Sequence, residues 1–346
     1  MKIYHLSHND LDGYGCQFIT SKIFKNIRYF NSNYGDEVLT RFNSILEDIK
    51  ESEKEEIQIL ITDVNLTLKE ADFVDKEVKK LIEEGFVVNL QLLDHHITGI
   101  DCRDKFSWYH LDDSKSASML TFDFFKEKHN IESFTEIIKV INAIDIWLED
   151  DKYFEFGKVL QRAVNHDSKE ISTFLFPDEA RAYKFHIIDK SIEFLDRDSS
   201  NIDLDENIYF IKKEFLRAEL PNNTLDNISA QNIVKLLKDN KDEMSIFYKG
   251  QKGLLTYMIG PVSIVANEFL KQNSEFDFFM DFNYKGTVSF RANNKIDVSQ
   301  MAKHLADGGG HKNASGGKIK GFKEAYNYKS IKNFITKHIE KKEETV

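Results

Sequence analysis

The sequence predicts an α/β protein: a parallel-sheet domain first, then a smaller α/β domain. Two observations carry this reading. Over the first hundred residues, short β-branched and leucine-rich runs alternate with amphipathic helical patterns, as in βαβ units whose strands are buried on both faces. A turn-prone polar stretch, "DRDSSNIDLDEN" at 196–207, then interrupts the chain before a second set of strands. A length of 346 residues suits such a two-domain plan. We read 1–196 as the first domain, 197–245 as a connecting segment and 246–336 as the second domain.

The elements follow in order. "KIYHLSH" at 2–8 is a strand, 13–25 a helix, and a short strand lies near 27–31. A helical pattern covers 36–50, and "IQILIT" at 57–62 is the next strand. The helix at 67–84 opens with Thr67 as cap and Glu70 in the position that completes a capping box. "VVNLQLL" at 87–93 closes the alternation. Helical patterns then dominate from 114 to about 196, including "SFTEIIKVINAIDIWLED". Beyond the boundary, strands are expected at 254–259, 276–282 and 286–291, with "SIVANEFLKQ" as a helix among them. "KHIEKKEETV" reads as a fraying helix or tail.

Composition narrows the class. With 41% hydrophobic and 30% charged residues, 28 Phe and 13 Tyr, the chain belongs with folded soluble proteins rather than disordered ones. The N-terminus reaches an acid within ten residues, and no apolar run approaches the roughly 18 residues a bilayer requires. A cytoplasmic location without membrane contact is expected. Cys16 and Cys102 are too few for a disulfide framework and are expected to be reduced. A net charge of -11 opposes a broad nucleic-acid face, because the mean field repels a long polyanion. A short phosphorylated substrate, gripped locally, is compatible with it.

Charge gathers where strands end. The first strand runs into His8, Asp10 and Asp12, the second into Asp63 and the third into Asp94, His95 and His96. In an open parallel sheet these ends share one edge, where ligands bind. A single aspartate after a strand reads first as a turn former or helix cap. So many carboxylates and imidazoles at one edge would repel and desolvate one another without a cation. Mixed carboxylate and imidazole donors without thiolate suit Mn²⁺, Mg²⁺ or Fe²⁺ better than structural zinc. The donors exceed one ion's needs, which points to two ions roughly 3.5–4 Å apart, an arrangement used in phosphoryl hydrolysis. Asp63, from the middle of the array, is the candidate bridge between them. Gly13 and Gly15 read as freeing the turn into the following helix.

These residues carry a resemblance. "DLDG" at 10–13, "TD" at 62–63, "DHH" at 94–96 and Asp145 in "INAIDIW" resemble, in order, the four motifs of the DHH family of phosphoesterases. "GGGHKNASGG" at 308–317 is similar to the GGGH signature of the C-terminal domain that accompanies many of these enzymes. "VSFRANNKIDVSQMAKHL" before it fits that domain's arginine-bearing strand and helix. The "HNDLDG" spacing, with His8 two residues before Asp10, resembles the nanoRNase B type oligoribonuclease branch.

The resemblance implies an active site in the cleft between a DHH domain and the C-terminal domain. It implies one metal ion on His8, Asp10 and Asp63, and a second on Asp12, Asp63, His95 and Asp145. Asp94 then orients a ligand and His96 lies near the substrate phosphate, so that Asp63, Asp94, His95 and His96 form the catalytic group. Arg291, Gly308, Gly309, Gly310 and His311 are the expected substrate contacts: a fixed guanidinium fork for phosphate oxygens, and a glycine run that lets backbone N–H groups approach.

The leading expectation is a Mn²⁺-dependent phosphodiesterase, Mg²⁺ being the alternative ion, that converts very short RNA oligonucleotides to mononucleotides. The alternatives are a phosphatase of nucleotide bisphosphates such as 3′-phosphoadenosine 5′-phosphate and a cyclic-dinucleotide phosphodiesterase. A nucleotide-binding regulator without turnover is the reading from a different class. The family often pairs subunits, so a homodimer is also an expectation.

Overall fold

The computed structural model describes residues 1–217, 222–323 and 325–344. The chain divides into two compact units, Met1–Asp167 with Lys184–Ile208, and Ser168–Tyr183 with Tyr209–Val346.

In the first unit β1 (Lys2–His8), β2 (Ile27–Ser32), β3 (Glu56–Thr62), β4 (Val87–Asp94) and β5 (Tyr109–Leu111) form a sheet in the order β2-β1-β3-β4-β5. Every neighbouring pair is parallel. Four of these strands lie where the apolar runs placed them; β5, three residues long, is too short to show a period. The helices are α1 (Leu11–Ile23), α2 (Asp36–Glu51), α3 (Leu68–Glu83), α4 (Ile100–Lys105), α5 (Ala117–Lys126), α6 (Thr135–Asp145) and α7 (Phe154–Gln161). The capping box forms as expected: Glu70 Oε2 accepts from Thr67 N at 2.7 Å and Thr67 Oγ1 accepts from Glu70 N.

One face of the sheet is sealed by a core in which Tyr4, Leu6, Ile57, Ile59 and Ile61 meet Phe42, Ile45 and Ile49 of α2 and Val74 and Val78 of α3. Burial of both sheet faces is why the strands read as continuous apolar runs. Strand order reverses between β1 and β3, so their carboxyl ends border the crevice at the topological switch point.

The chain passes from one unit to the other three times, after Asp167, within α8 (Pro177–Ser191) and within α9 (Ser200–Leu216). The polar stretch at 196–207 is therefore helical from Ser200 onward. Leu204, Ile208 and Ile211, at helical spacing, are buried and bring the segment into a core despite its charge.

The second unit continues with α10 (Leu225–Asp239), β6 (Ser245–Tyr248), β7 (Gln251–Tyr257), α11 (Val262–Gln272), β8 (Phe278–Phe282), β9 (Thr287–Ala292), α12 (Val298–Ala306), β10 (Gly309–His311), β11 (Ala314–Lys318) and α13 (Tyr328–Glu343). Its mixed sheet has the order β10-β11-β9-β8-β7-β6, with β7 and β8 parallel and the other neighbours antiparallel. Phe278, Met280, Phe282 and Phe290 pack with Ile331, Ile335 and Ile339 of α13. That four-residue spacing makes the lysine-rich C-terminal segment an amphipathic helix rather than a tail. Cys16 and Cys102 are both buried and free. Among the described residues no helix is long and apolar enough to cross a membrane.

Candidate metal centre

Pairing brings the candidate ligands to one edge. Ser7 is opposite Thr62, and Thr62 opposite Leu93, so His8, Asp63 and Asp94 follow in line across β1, β3 and β4. Asp10 is the N-cap of α1, its Oδ1 accepting from Gly13 N at 3.0 Å. Asp12 sits in the first turn of that helix, 1% exposed, and reaches the N-terminus of α5. There its Oδ2 accepts from Ala117 N at 2.7 Å and its Oδ1 from Ser118 N at 3.0 Å. Free N–H groups and the positive end of a helix favour a carboxylate in that position.

Gly13 and Gly15 lie inside α1 rather than in a turn before it. A Cβ on Gly13 would fall 2.4 Å from the His8 carbonyl oxygen, so glycine permits β1 and α1 to meet this closely.

Asp63 has φ of 56°, a left-handed conformation that a non-glycine residue adopts at a cost. From there its two carboxylate oxygens face different imidazoles. Oδ1 is 3.4 Å from His95 Nε2, and Oδ2 is 3.8 Å from His8 Nδ1. His8 Nδ1 is also 3.1 Å from Asp10 Oδ2. His95 Nε2 is 3.5 Å from Asp145 Oδ2 and 4.0 Å from Asp12 Oδ2. Asp145 is the last residue of α6, mostly buried, and not the exposed helix position that its local sequence suggests. Asp94, fully buried, accepts from His96 Nδ1 at 2.7 Å and from the Tyr109 hydroxyl at 3.2 Å.

The electrostatics are those of carboxylates crowded in a buried place. Burial, followed by the charges of Asp10 and Asp12, holds the Asp63 carboxyl well above the carboxylate range. Burial with Asp12 and Asp10 nearby pushes Asp145 up to about 9. Asp12 is raised chiefly by burial, despite the opposing effect of His95. Burial acts against the charge of Asp10 too, but His8 and the Gly13 N–H outweigh it and bring Asp10 down to about 2. Burial lowers His95, whereas the bond to Asp94 overcomes burial and raises His96.

His8 Nδ1, Asp63 Oδ2 and Asp145 Oδ2 are buried and make no hydrogen bond. Orphaned polar atoms of this kind are costly unless a cation meets them. Three groups place one donor atom per residue within 4.8 Å of one another: His8, Asp10 and Asp63; Asp12, His95 and Asp145; and Asp63, His95 and His96. The donor set thus fits metal ions, and Asp63 faces the first two groups with one oxygen each.

In the second unit the glycine run is itself a strand. β10 and β11 form a hairpin pairing Gly309 with Gly316, Gly310 with Ser315 and His311 with Ala314. Ala314 in turn pairs with Arg291 on β9, so His311 and Arg291 stand in one row on either side of a small residue. Residues directly opposite in antiparallel strands face the same way. The guanidinium of Arg291 donates to Ser263 Oγ and to the Phe290 carbonyl, both at 2.9 Å. His311 is exposed. Gly308 precedes β10, and at Gly310, with φ of 146°, a Cβ would come within 2.6 Å of the Ala314 carbonyl oxygen.

The DHHA1 domain family matches residues 255–341. Over 341 residues, 97% of this chain and 98% of the relative, the sequence is 40% identical to a Helicobacter pylori (strain ATCC 700392 / 26695) protein named 3',5'-cyclic-nucleotide phosphodiesterase. The chain belongs to the DHH family of phosphoesterases. A second family member, Oligoribonuclease NrnB of Bacillus subtilis (strain 168), is 28% identical over 51% of this chain and 48% of its own length. A crystal structure of an uncharacterized Helicobacter pylori G27 protein superimposes with a TM-score of 0.89 at 38% identity, covering 98% of this chain and 99% of that one.

The DHH motifs do not include every residue that shapes the site. Tyr109 and the α5 N-terminus lie outside them, and nothing near them in the sequence signals a role. His5, fully buried, bonds Thr20 Oγ1 and Thr62 Oγ1 beneath the motif residues. Tyr34 follows the end of β2 at the same sheet edge, and an aromatic residue in "SNYGDE" was the available signal.

Proposed function

We propose that the chain is a divalent-metal-dependent phosphodiesterase that hydrolyses the 3′,5′-phosphodiester of small nucleotides. The observation that carries this reading is Asp63, one carboxylate oxygen toward His8 and the other toward His95. His8, Asp10 and Asp63 would hold one ion, and Asp12, Asp63, His95 and Asp145 the other. The mixed oxygen and nitrogen donors favour Mn²⁺, with Mg²⁺ as the alternative. When bound, such a pair lowers the pKa of water and neutralises charge on a phosphate. Asp94 accepts a hydrogen bond from His96 Nδ1 and so would set the ring's orientation toward the phosphate. In the DHHA1 unit, Arg291, His311 and the backbone of Gly308, Gly309 and Gly310 are proposed to contact the substrate.

A cyclic mononucleotide is the first choice of substrate, because the relative named for that activity matches along nearly the whole chain. Very short RNA is the second, favoured by the "HNDLDG" spacing and by likeness to NrnB over about half of the chain. Both present the same phosphodiester linkage. The test is a panel of cyclic mononucleotides, RNA of about two to five nucleotides, nucleotide bisphosphate and cyclic dinucleotide, each with Mn²⁺ and with Mg²⁺. Hydrolysis of a nucleotide phosphodiester that stops on chelation and returns with Mn²⁺ is expected. Absence of turnover on the whole panel with either ion would overturn the reading in favour of a nucleotide-binding regulator.

A further inference from the structure

We propose that Tyr34 is a positioning residue for the reaction, its hydroxyl fixing the His96 imidazole from the side opposite Asp94; the proposal rests on the reading that His96 faces the substrate phosphate. The geometry is specific. The Tyr34 hydroxyl lies 3.0 Å from His96 Nε2, while His96 Nδ1 donates to Asp94 Oδ1 and Asp94 Oδ2 accepts from Tyr109. Both ring nitrogens of His96 are thereby engaged, in a chain running Tyr34, His96, Asp94, Tyr109. The Tyr34 ring also lies 4.5 Å from that of His8 and 5.6 Å, edge-on, from that of His96. It touches one imidazole from each end of the cluster.

Tyr34 does not serve a core. It is 44% exposed and belongs to neither hydrophobic cluster. Its turn is nonetheless firmly built. Asn33 donates through its backbone N and its Nδ2 to Glu37 Oε2, at 3.0 and 2.9 Å. The other oxygen of that buried carboxylate accepts from Arg41 Nε and Nη2. Ser32 Oγ donates to the Asn33 carbonyl at 2.6 Å.

Two partners decide how the ring sits. Asp94 accepts at Nδ1, and the Tyr34 hydroxyl meets Nε2 on the far side of the ring. Tyr34 therefore fixes the tilt of a ring whose other support is a single carboxylate. The cost of losing one such bond in an active site is about tenfold in rate.

The test is Tyr34→Phe, which keeps the ring and removes only the hydroxyl. In metal-free protein labelled with ¹⁵N-histidine, with His96 assigned by comparison with His96→Gln, the His96 ring-nitrogen resonances are expected to move. In Mn²⁺-loaded enzyme, kcat should fall about tenfold with KM within about twofold, equally for a 3′,5′-cyclic nucleotide and for bis(p-nitrophenyl) phosphate. The Mn²⁺ affinity, read by calorimetry, should be unchanged. Unmoved resonances, an unchanged kcat, or a loss confined to KM would each overturn the proposal, the last by making Tyr34 a binding surface instead. If the unaltered enzyme turned over no phosphodiester, the functional reading would fall, and the metal-free resonances would still decide whether Tyr34 fixes His96.

Discussion

Replacing Asp63 by Asn should separate the two demands this carboxylate meets. Asn has the same shape and, like Asp, tolerates the left-handed backbone found there at φ of 56°. The substitution puts a neutral amide where a carboxyl that is 2% exposed has its ionised form disfavoured by burial and by the charges of Asp10 and Asp12. Relieving a buried, uncompensated carboxylate is worth about 1–3 kcal/mol. At roughly 2–4 °C per kcal/mol for a unit of this size, metal-free Asp63→Asn should melt several degrees above metal-free wild type. Metal should reverse the ranking. An ion present at 100 times its dissociation constant stabilises the folded state by about 2.7 kcal/mol, and wild type alone should show the full gain.

Differential scanning fluorimetry with EDTA and with Mn²⁺ reads all four states, and turnover should drop on the order of a thousandfold, about 4 kcal/mol of barrier. Asp63→Ala provides a control. It loses the same ligand but places a Cβ-bearing residue without a polar side chain in a left-handed position, at about 1–2 kcal/mol, so it should melt below Asp63→Asn when metal-free. An Asp63→Asn protein that kept a tenth of wild-type turnover, or gained as much stability from Mn²⁺, would refute a shared ligand at this position.

Other consequences are accessible to simple measurements. Gly13→Ala would press a Cβ to 2.4 Å from the His8 carbonyl and dislodge the Asp10 cap, so urea unfolding should show a loss of more than about 2 kcal/mol along with weakened Mn²⁺ binding. Arg291→Ala should raise KM about tenfold while leaving metal affinity untouched, as steady-state kinetics and calorimetry would show. Asp281 of β8 is raised to about 6, chiefly by burial, against the donors Thr256 Oγ1 and Ile259 N. A carboxyl whose folded pKa exceeds its unfolded value stabilises at low pH, and that contribution is lost as pH rises from about 4 through about 6. The loss should be roughly 2 kcal/mol between pH 4 and pH 7 in urea melts, and Asp281→Asn should remove that part of the slope.

The unequal legibility of this chain has physical causes. The doubly buried strands announce themselves because every position along "IQILIT" or "VVNLQLL" must suit an interior or lie at its margin. β5 and β10 do not, since three residues give no period and glycines give no hydrophobic signal. α9 was obscured for a different reason: its apolar stripe is only Leu204, Ile208 and Ile211 among many charges, so composition outweighed spacing. At the site, residues that follow strands could be placed together from topology alone, because parallel strands deliver their ends to one edge and the reversal of strand order opens a crevice there. That argument reaches His8, Asp10, Asp12, Asp63, Asp94 and the two following histidines. It cannot reach Asp145, which arrives from the end of α6, or Tyr109, which bonds a buried carboxylate from a neighbouring strand. Those positions depend on how helices and short strands pack on the sheet, which no local pattern encodes. Asp145 was found only through its order among the motifs. The backbone of Asp63 shows what the convergence costs. A left-handed aspartate at the end of a buried strand is unfavourable by itself, and here it sits between His8 and His95 at the point where the strand order reverses.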